Sequence, residues 1–127
     1  MSAPKENISK ALIAIVDDDQ SFREALESLL SLIGFRTATF ASARAFLDSP
    51  EFPIVACAIL DVSMPGMDGL ELQRYLVANN PIPIIFITDL RDTRTREQAL
   101  QAGAINLLNK PFKEETLIDA LNQALGA

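Results

Sequence analysis

Each of four short apolar runs in this sequence ends on a side chain that could do chemistry: Asp17 and Asp18 after 11–16, Asp61 after 55–60, Thr88 after 84–87, and Lys110 just beyond 105–108. If the runs are parallel strands, these side chains gather at one edge of one sheet. Ligands of open α/β sheets bind at that edge, outside the carboxyl ends of the strands. Three carboxylates, a hydroxyl and an ammonium there could hold a metal ion and a phosphoryl group.

The carboxylates predict a cation site when they are taken as a set. One aspartate after a strand is weak evidence, because aspartate also caps helices and starts turns, and we interpret Asp19 in that way. Asp17, Asp18 and Asp61 instead leave two strands that are neighbours at the switch point of a flavodoxin-like sheet. Like charges packed together raise one another's pKa unless a cation neutralises them. Oxygen ligands favour a hard divalent ion, and Mg²⁺ fits best.

The remaining two side chains fit a phosphoryl group. Carboxylates such as Asp61 are known covalent acceptors of phosphoryl groups, whose transfer needs mainly positioning and charge neutralisation. Thr88 could donate its hydroxyl to a phosphoryl oxygen, and Lys110 supplies a point charge on a flexible stem. Pro111 would aim that lysine through a tight turn that suits a cis bond. Taken singly, Thr88 and Lys110 are ordinary strand-end residues; only the set indicates a phosphoryl site.

Composition narrows the function further. The chain has no histidine, which removes histidine-based acid–base catalysis and the usual zinc sites. Its single cysteine, Cys57, lies inside an apolar run and is interpreted as a buried, inert thiol. A net charge of −6 opposes direct contact with nucleic acid. Residues 1–10 lack an apolar signal core, and no run approaches the ~20 residues of a membrane helix, so we expect a cytoplasmic setting without membrane contact.

The pattern between the polar positions alternates strands with helices. Apolar runs without polar alternation predict strands buried on both faces, and each is followed by a helical pattern. Ser21 and Glu24 are spaced as a capping box for the first helix. Five βα units with right-handed crossovers predict an α/β fold: a flavodoxin-like (βα)₅ doubly wound five-stranded parallel sheet of order 2-1-3-4-5, with helices on both faces. We expect a flexible lead at 1–10 and one domain over 11–127.

Five motifs occur in a fixed order over nearly the whole chain: IVDDD at 15–19, ILDVSMPGMDG at 59–69, IT at 87–88, AGA at 102–104 and NKPF at 109–112. As an ordered set they are highly specific. The sequence resembles the receiver domain of bacterial two-component response regulators. Segments 19–35 and 40–47 are most similar to the FixJ/NarL-type branch, whose members regulate transcription.

The resemblance implies a role for each site residue. Asp61 would be the phosphoacceptor; Asp18, Asp61 and the Ser63 carbonyl would bind Mg²⁺ directly, with Asp17 holding metal-bound water. Thr88 would be the switch hydroxyl, and Lys110 would contact the phosphoryl oxygens.

The resemblance also implies partners. A sensor histidine kinase or phosphotransfer protein would supply the phosphoryl group. The chain would not be an enzyme beyond self-phosphorylation from small donors and autodephosphorylation. Phosphorylation would alter the face made by helix 91–102, strand 105–108 and the last helix, through which a homodimer or an output domain would bind.

Two positions depart from the family pattern. Asp89 follows Thr88 where the family usually has Ala or Gly, and its carboxylate would repel a phosphoryl group unless it points to solvent. Leu107 replaces the usual Phe or Tyr, so no ring can swing inward with Thr88.

Two other functions therefore stay open. One is a degenerate receiver that binds a partner without phosphorylation, with Asp89 as its signature. The other is a Mg²⁺-dependent phosphohydrolase, although Ser63 stands where that class would carry a second acid.

Overall fold

The described part of the chain, residues 11–126 of a computed structural model, contains one sheet of five parallel strands. In chain order the strands are β1 Leu12–Val16, β2 Arg36–Phe40, β3 Val55–Leu60, β4 Ile84–Thr88 and β5 Asn106–Asn109. Their order across the sheet is β2-β1-β3-β4-β5, which confirms the predicted doubly wound arrangement. The lead predicted at 1–10 lies outside the described residues.

Five α-helices connect or follow the strands: α1 Gln20–Ile33, α2 Ala43–Leu47, α3 Gly69–Asn79, α4 Thr93–Gln101 and α5 Glu114–Ala124, with a 3₁₀ turn at Phe52–Ile54 before β3. Helices α1 and α5 cover one face of the sheet, and α2, α3 and α4 cover the other. No helix within residues 11–126 is long and apolar enough to cross a membrane.

Both faces of the central strands are buried, which explains their continuous apolar sequence. Ile13 and Ile15 pack with α1 and α5, whereas Ala14 and Val16 pack with the helices of the opposite face. Successive side chains of a strand point to opposite faces, so each strand supplies both cores. The polar residues of these segments are consequently pushed to the strand ends, where the carboxyl edge of the sheet forms.

The predicted capping box of α1 is wrong. The helix begins at Gln20, and Asp19 is its N-cap, with the Phe22 N–H donating to Asp19 Oδ1 at 3.2 Å. The Asp19 N–H in turn donates to Asp17 Oδ1 at 2.9 Å, which fixes Asp19 in the extended conformation that a cap requires. This local bond starts the helix two residues earlier than the Ser21 spacing predicts.

Small shifts at three other boundaries matter for the site. Helix α3 begins at Gly69 with a capping box between Asp68 and Glu71 that the sequence analysis missed. Helix α4 spans 93–101 rather than 91–102, which leaves a free loop after β4. Strand β5 runs one residue further than predicted, so Asn109 pairs with Thr88.

Candidate functional site

Three carboxylates converge at the carboxyl ends of β1 and β3. Asp17, Asp18 and Asp61 each offer an oxygen, and these oxygens lie within 4.8 Å of one another. Asp17 and Asp61 are buried, at 2% and 7% exposure, while Asp18 faces solvent. Their separation and oxygen chemistry suit a hard divalent cation. The predicted convergence of these residues is confirmed.

Lys110 reaches into this cluster from the turn after β5. Its Nζ lies 3.1 Å from Asp17 Oδ2 and 3.7 Å from Asp61 Oδ2. The backbone positions the lysine from both sides, because its N–H donates to the Thr88 carbonyl at 3.0 Å and its carbonyl accepts from Arg91 at 3.0 Å. The Lys110–Pro111 peptide bond is cis. One ammonium thus offsets part of the charge of three carboxylates.

The pKa values of the pair reflect this partial compensation. Burial raises the pKa of Asp17 and outweighs the opposing hydrogen bonds from the Asp19 N–H and Lys110; the neighbouring Asp61 charge raises it further. Burial lowers the pKa of Lys110, but the hydrogen bond to Asp17 and the charges of Asp17 and Asp61 together move that pKa above its ordinary value. The lysine therefore stays protonated, and the cluster still favours additional positive charge.

Thr88 ends β4 between the acidic cluster and β5. It is 1% exposed, and its Oγ1 accepts from the Leu90 N–H at 3.2 Å. The hydroxyl retains its own proton for donation. The neighbouring Asp89 is exposed, which agrees with the solvent-facing interpretation of that carboxylate. Its charge nevertheless contributes to raising the pKa of Lys110.

The loop between β3 and α3 closes tightly around Asp61. The Ser63 N–H donates to Asp61 Oδ1 at 3.3 Å, and the Gly69 N–H donates to the Val62 carbonyl at 2.8 Å. A Cβ on Gly69 would overlap the Asp61 carbonyl and come within 2.9 Å of the Val62 Cα. Only glycine allows α3 to approach the acceptor strand this closely.

The sequence analysis missed two residues in the first turn of α1. Arg23 donates to the Asp17 carbonyl at 2.7 Å, and the ring of Phe22 faces Lys110, with Nζ 3.9 Å from the ring centroid. Both had been assigned only to a helix. Their position directly after the Asp17–Asp19 carboxylates is the signal that could have placed them at the site.

Cys57 takes no part in the site. It is fully buried in β3, and burial raises the pKa of its thiol to about 12. The thiolate, the reactive form of cysteine, is therefore negligible at neutral pH, as predicted for an inert thiol.

Fold and site together define a doubly wound α/β domain with acidic side chains and a lysine at its topological switch point. Residues 13–122 match the family described as the response regulator receiver domain, and the chain belongs to this family. The predicted resemblance is confirmed.

Among curated relatives, the response regulator protein TmoT of Ectopseudomonas mendocina is 46% identical over 120 residues, covering 94% of this chain and 54% of TmoT. The transcriptional regulatory protein FixJ of Bradyrhizobium diazoefficiens is 36% identical over 118 residues, covering 92% of this chain and 58% of FixJ. The chain thus spans about half the length of the curated relatives it matches.

Solved structures agree. The response regulator StyR superposes with a TM-score of 0.83 at 45% identity, covering 92% of this chain and 60% of StyR. The FixJ-N structure has a TM-score of 0.81 at 34% identity, covering 92% of this chain and 94% of the other. The similarity to FixJ in both comparisons supports the predicted FixJ-type branch.

Proposed function

We propose that this chain is the phospho-accepting switch of a cytoplasmic two-component phosphorelay, phosphorylated on Asp61 by a sensor histidine kinase or a phosphotransfer protein. The observation that carries the proposal is the position of Lys110 Nζ between the buried carboxylates of Asp17 and Asp61. An ammonium held there can pass from a carboxylate to a phosphoryl oxygen with little movement of its stem.

Mg²⁺ is the proposed cofactor, with Asp18, Asp61 and the Ser63 carbonyl as direct ligands and Asp17 holding metal-bound water. The fit rests on the three convergent carboxylates, since a single lysine leaves them with excess negative charge. When bound, the ion would offset the repulsion between Asp61 and an incoming phosphoryl group.

The chain's own residues carry the transfer. A carboxylate oxygen of Asp61 forms a bond to phosphorus while the phosphorus–nitrogen bond of a phosphohistidine breaks, and the imidazole leaves with the electron pair. Lys110 and the Thr88 hydroxyl then contact the phosphoryl oxygens. An open cleft of about 590 Å³, lined in part by Ser63, Leu90 and Thr95, lies beside the acceptor and leaves the donor an approach.

Phosphorylation adds about −2 charge at Asp61 and draws Thr88 and Lys110 toward it. Both residues are linked to the loop before α4, because Leu90 bonds Thr88 and Arg91 bonds the Lys110 carbonyl. Arg96 continues this connection to β5 through the Leu107 carbonyl, at 2.6 Å. We propose that the α4-β5-α5 face repacks in this way and binds a second copy or an output domain, by which such regulators control transcription.

Labelling tests the proposal. We expect the chain to gain one phosphoryl mass when it is incubated with Mg²⁺ and a small acyl phosphate, as measured by intact mass spectrometry. Asp61→Asn should gain none, because an amide cannot form the acyl phosphate, and chelating the Mg²⁺ should suppress labelling of the native chain. A native chain that stays unlabelled would point to the degenerate receiver, whereas sustained turnover of a phosphate monoester would point to the phosphohydrolase.

Asp89 is expected to slow this labelling. Its charge acts on Lys110 across solvent, so Asp89→Ala should speed labelling or lengthen the phosphoryl lifetime by roughly two- to fivefold, the scale of an exposed charge pair. Glu51→Ala removes an equally exposed charge before the opposite end of β3 and serves as the control. If the two variants label and decay alike, the local charge of Asp89 has no role.

A further inference from the structure

Lys110 contacts more than carboxylates. Its Nζ lies 3.9 Å from the centroid of the Phe22 ring, while Asp17 and Asp61 take its other side at 3.1 and 3.7 Å. The lysine side chain is only 12% exposed. An ammonium over an aromatic face is attracted by the negative face of the ring, and the attraction is largest where water is excluded.

The Phe22 ring is itself held in orientation. Phe112, two residues beyond Lys110, meets it edge-to-face at 6.4 Å between centroids and 78° between planes. The Phe22 N–H donates to the Asp19 cap, which fixes the backbone of this first turn of α1. Phe22 also lines one narrow crevice together with Asp17 and Asp61. The ring is therefore a rigid wall of the acceptor site.

From these contacts we infer that Phe22 is a positioning residue for phosphoryl transfer, because its aromatic face holds the Lys110 ammonium at the place where the phosphoryl oxygens arrive. Lysine carries a point charge on four rotatable methylenes, and carboxylates alone would draw it wherever their charge is greatest. The ring supplies attraction without a charge to neutralise, so Lys110 stays near Asp61 and can still transfer to the phosphoryl group. The inference rests on the proposed function of Asp61.

The test compares ring with no ring at position 22. Phe22→Leu and Phe22→Met should slow labelling by a small acyl phosphate in Mg²⁺ by about 5- to 30-fold, the range of a desolvated cation–π contact. Phe22→Tyr keeps the aromatic face and should stay within about twofold of the native rate. Phe52→Leu is the control, since Phe52 is a half-buried ring in an edge-to-face contact with Phe46, remote from Lys110.

A spectroscopic measurement reads the contact without any phosphorylation. The chain has four lysines, Lys5, Lys10, Lys110 and Lys113, so the Hε resonances of ¹³C-labelled lysine can be assigned with single Lys→Arg variants. Lys110 should show an upfield ring-current shift that disappears in Phe22→Leu and Phe22→Met and persists in Phe22→Tyr and Phe52→Leu.

The two measurements separate the possible failures. An unshifted Lys110 in the native chain, or a shift that survives Phe22→Met, overturns the positioning role whatever the labelling shows. Equal slowing by Phe22→Tyr and Phe22→Leu also overturns it, because the ring face would then not be what matters. A native chain that shows the shift but never labels leaves the contact intact and contradicts the function of Asp61.

Discussion

Replacing Gly69 with alanine is expected to lower the free energy of unfolding by roughly 2–4 kcal/mol, because the added methyl group meets backbone rather than a movable side chain. The Cβ would overlap the Asp61 carbonyl and come within 2.9 Å of the Val62 Cα. Helix α3 would have to move away from the strand that carries the phosphoacceptor. Urea denaturation in metal-free buffer measures the loss.

Gly66→Ala is the matched control for that change. Gly66 lies in the same loop and has a positive φ of 75°, but nothing lies within 4 Å of a Cβ there. Its cost is the backbone strain of a left-handed alanine, about 1–2 kcal/mol, and Asp61 stays in place. We expect Gly66→Ala to label at close to the native rate and Gly69→Ala to label poorly even below its unfolding transition. Equal stability and labelling of the two variants would contradict the close-approach argument.

The second large effect is expected from Lys110→Met, which keeps most of the stem and removes the charge. Asp17 and Asp61 would then be buried side by side without a cation, and breaking a buried ion pair costs about 3–5 kcal/mol. We expect the metal-free variant to be less stable than the native chain by up to that amount at pH 7. Lys113→Met, at an exposed lysine three residues on, should be nearly neutral.

The pH dependence of this loss has a defined sign. Burial already raises the pKa of Asp17 above 3.8 in the native chain, and removal of Lys110 raises it further. A carboxyl whose folded pKa is raised contributes stability that is present below the unfolded pKa and is lost as the pH rises through the folded pKa. The stability gap between the variant and the native chain should therefore widen from about pH 4 towards neutrality.

Saturating Mg²⁺ should narrow the same gap at pH 7, because a bound cation replaces the missing ammonium charge. Denaturant curves at pH 4 and pH 7, each with and without Mg²⁺, measure both effects. A gap that is constant across pH and metal would show that the loss comes from the packing of the stem and not from charge.

The fold follows closely from local sequence. Each strand that is buried on both faces reads as an unbroken apolar run, so β1, β3 and β4 were predicted within a residue of their observed ends. Because parallel strands present their carboxyl ends at one edge, Asp17, Asp61, Thr88 and Lys110 could be placed together without coordinates. The cap of α1 could not, because it depends on the bond from the Asp19 N–H to Asp17.

What the sequence by itself determined is the set of charged and hydroxyl groups at the carboxyl edge, since the period of the strands and the order of the motifs are local properties. The tertiary structure decided which groups neighbour which: Phe22 against Lys110, Arg23 on the Asp17 carbonyl, and Gly69 against Asp61. These contacts join segments whose distance depends on helix packing over the sheet. A phenylalanine at helical spacing reads as core in any sequence, and only its position over an ammonium shows what else it does.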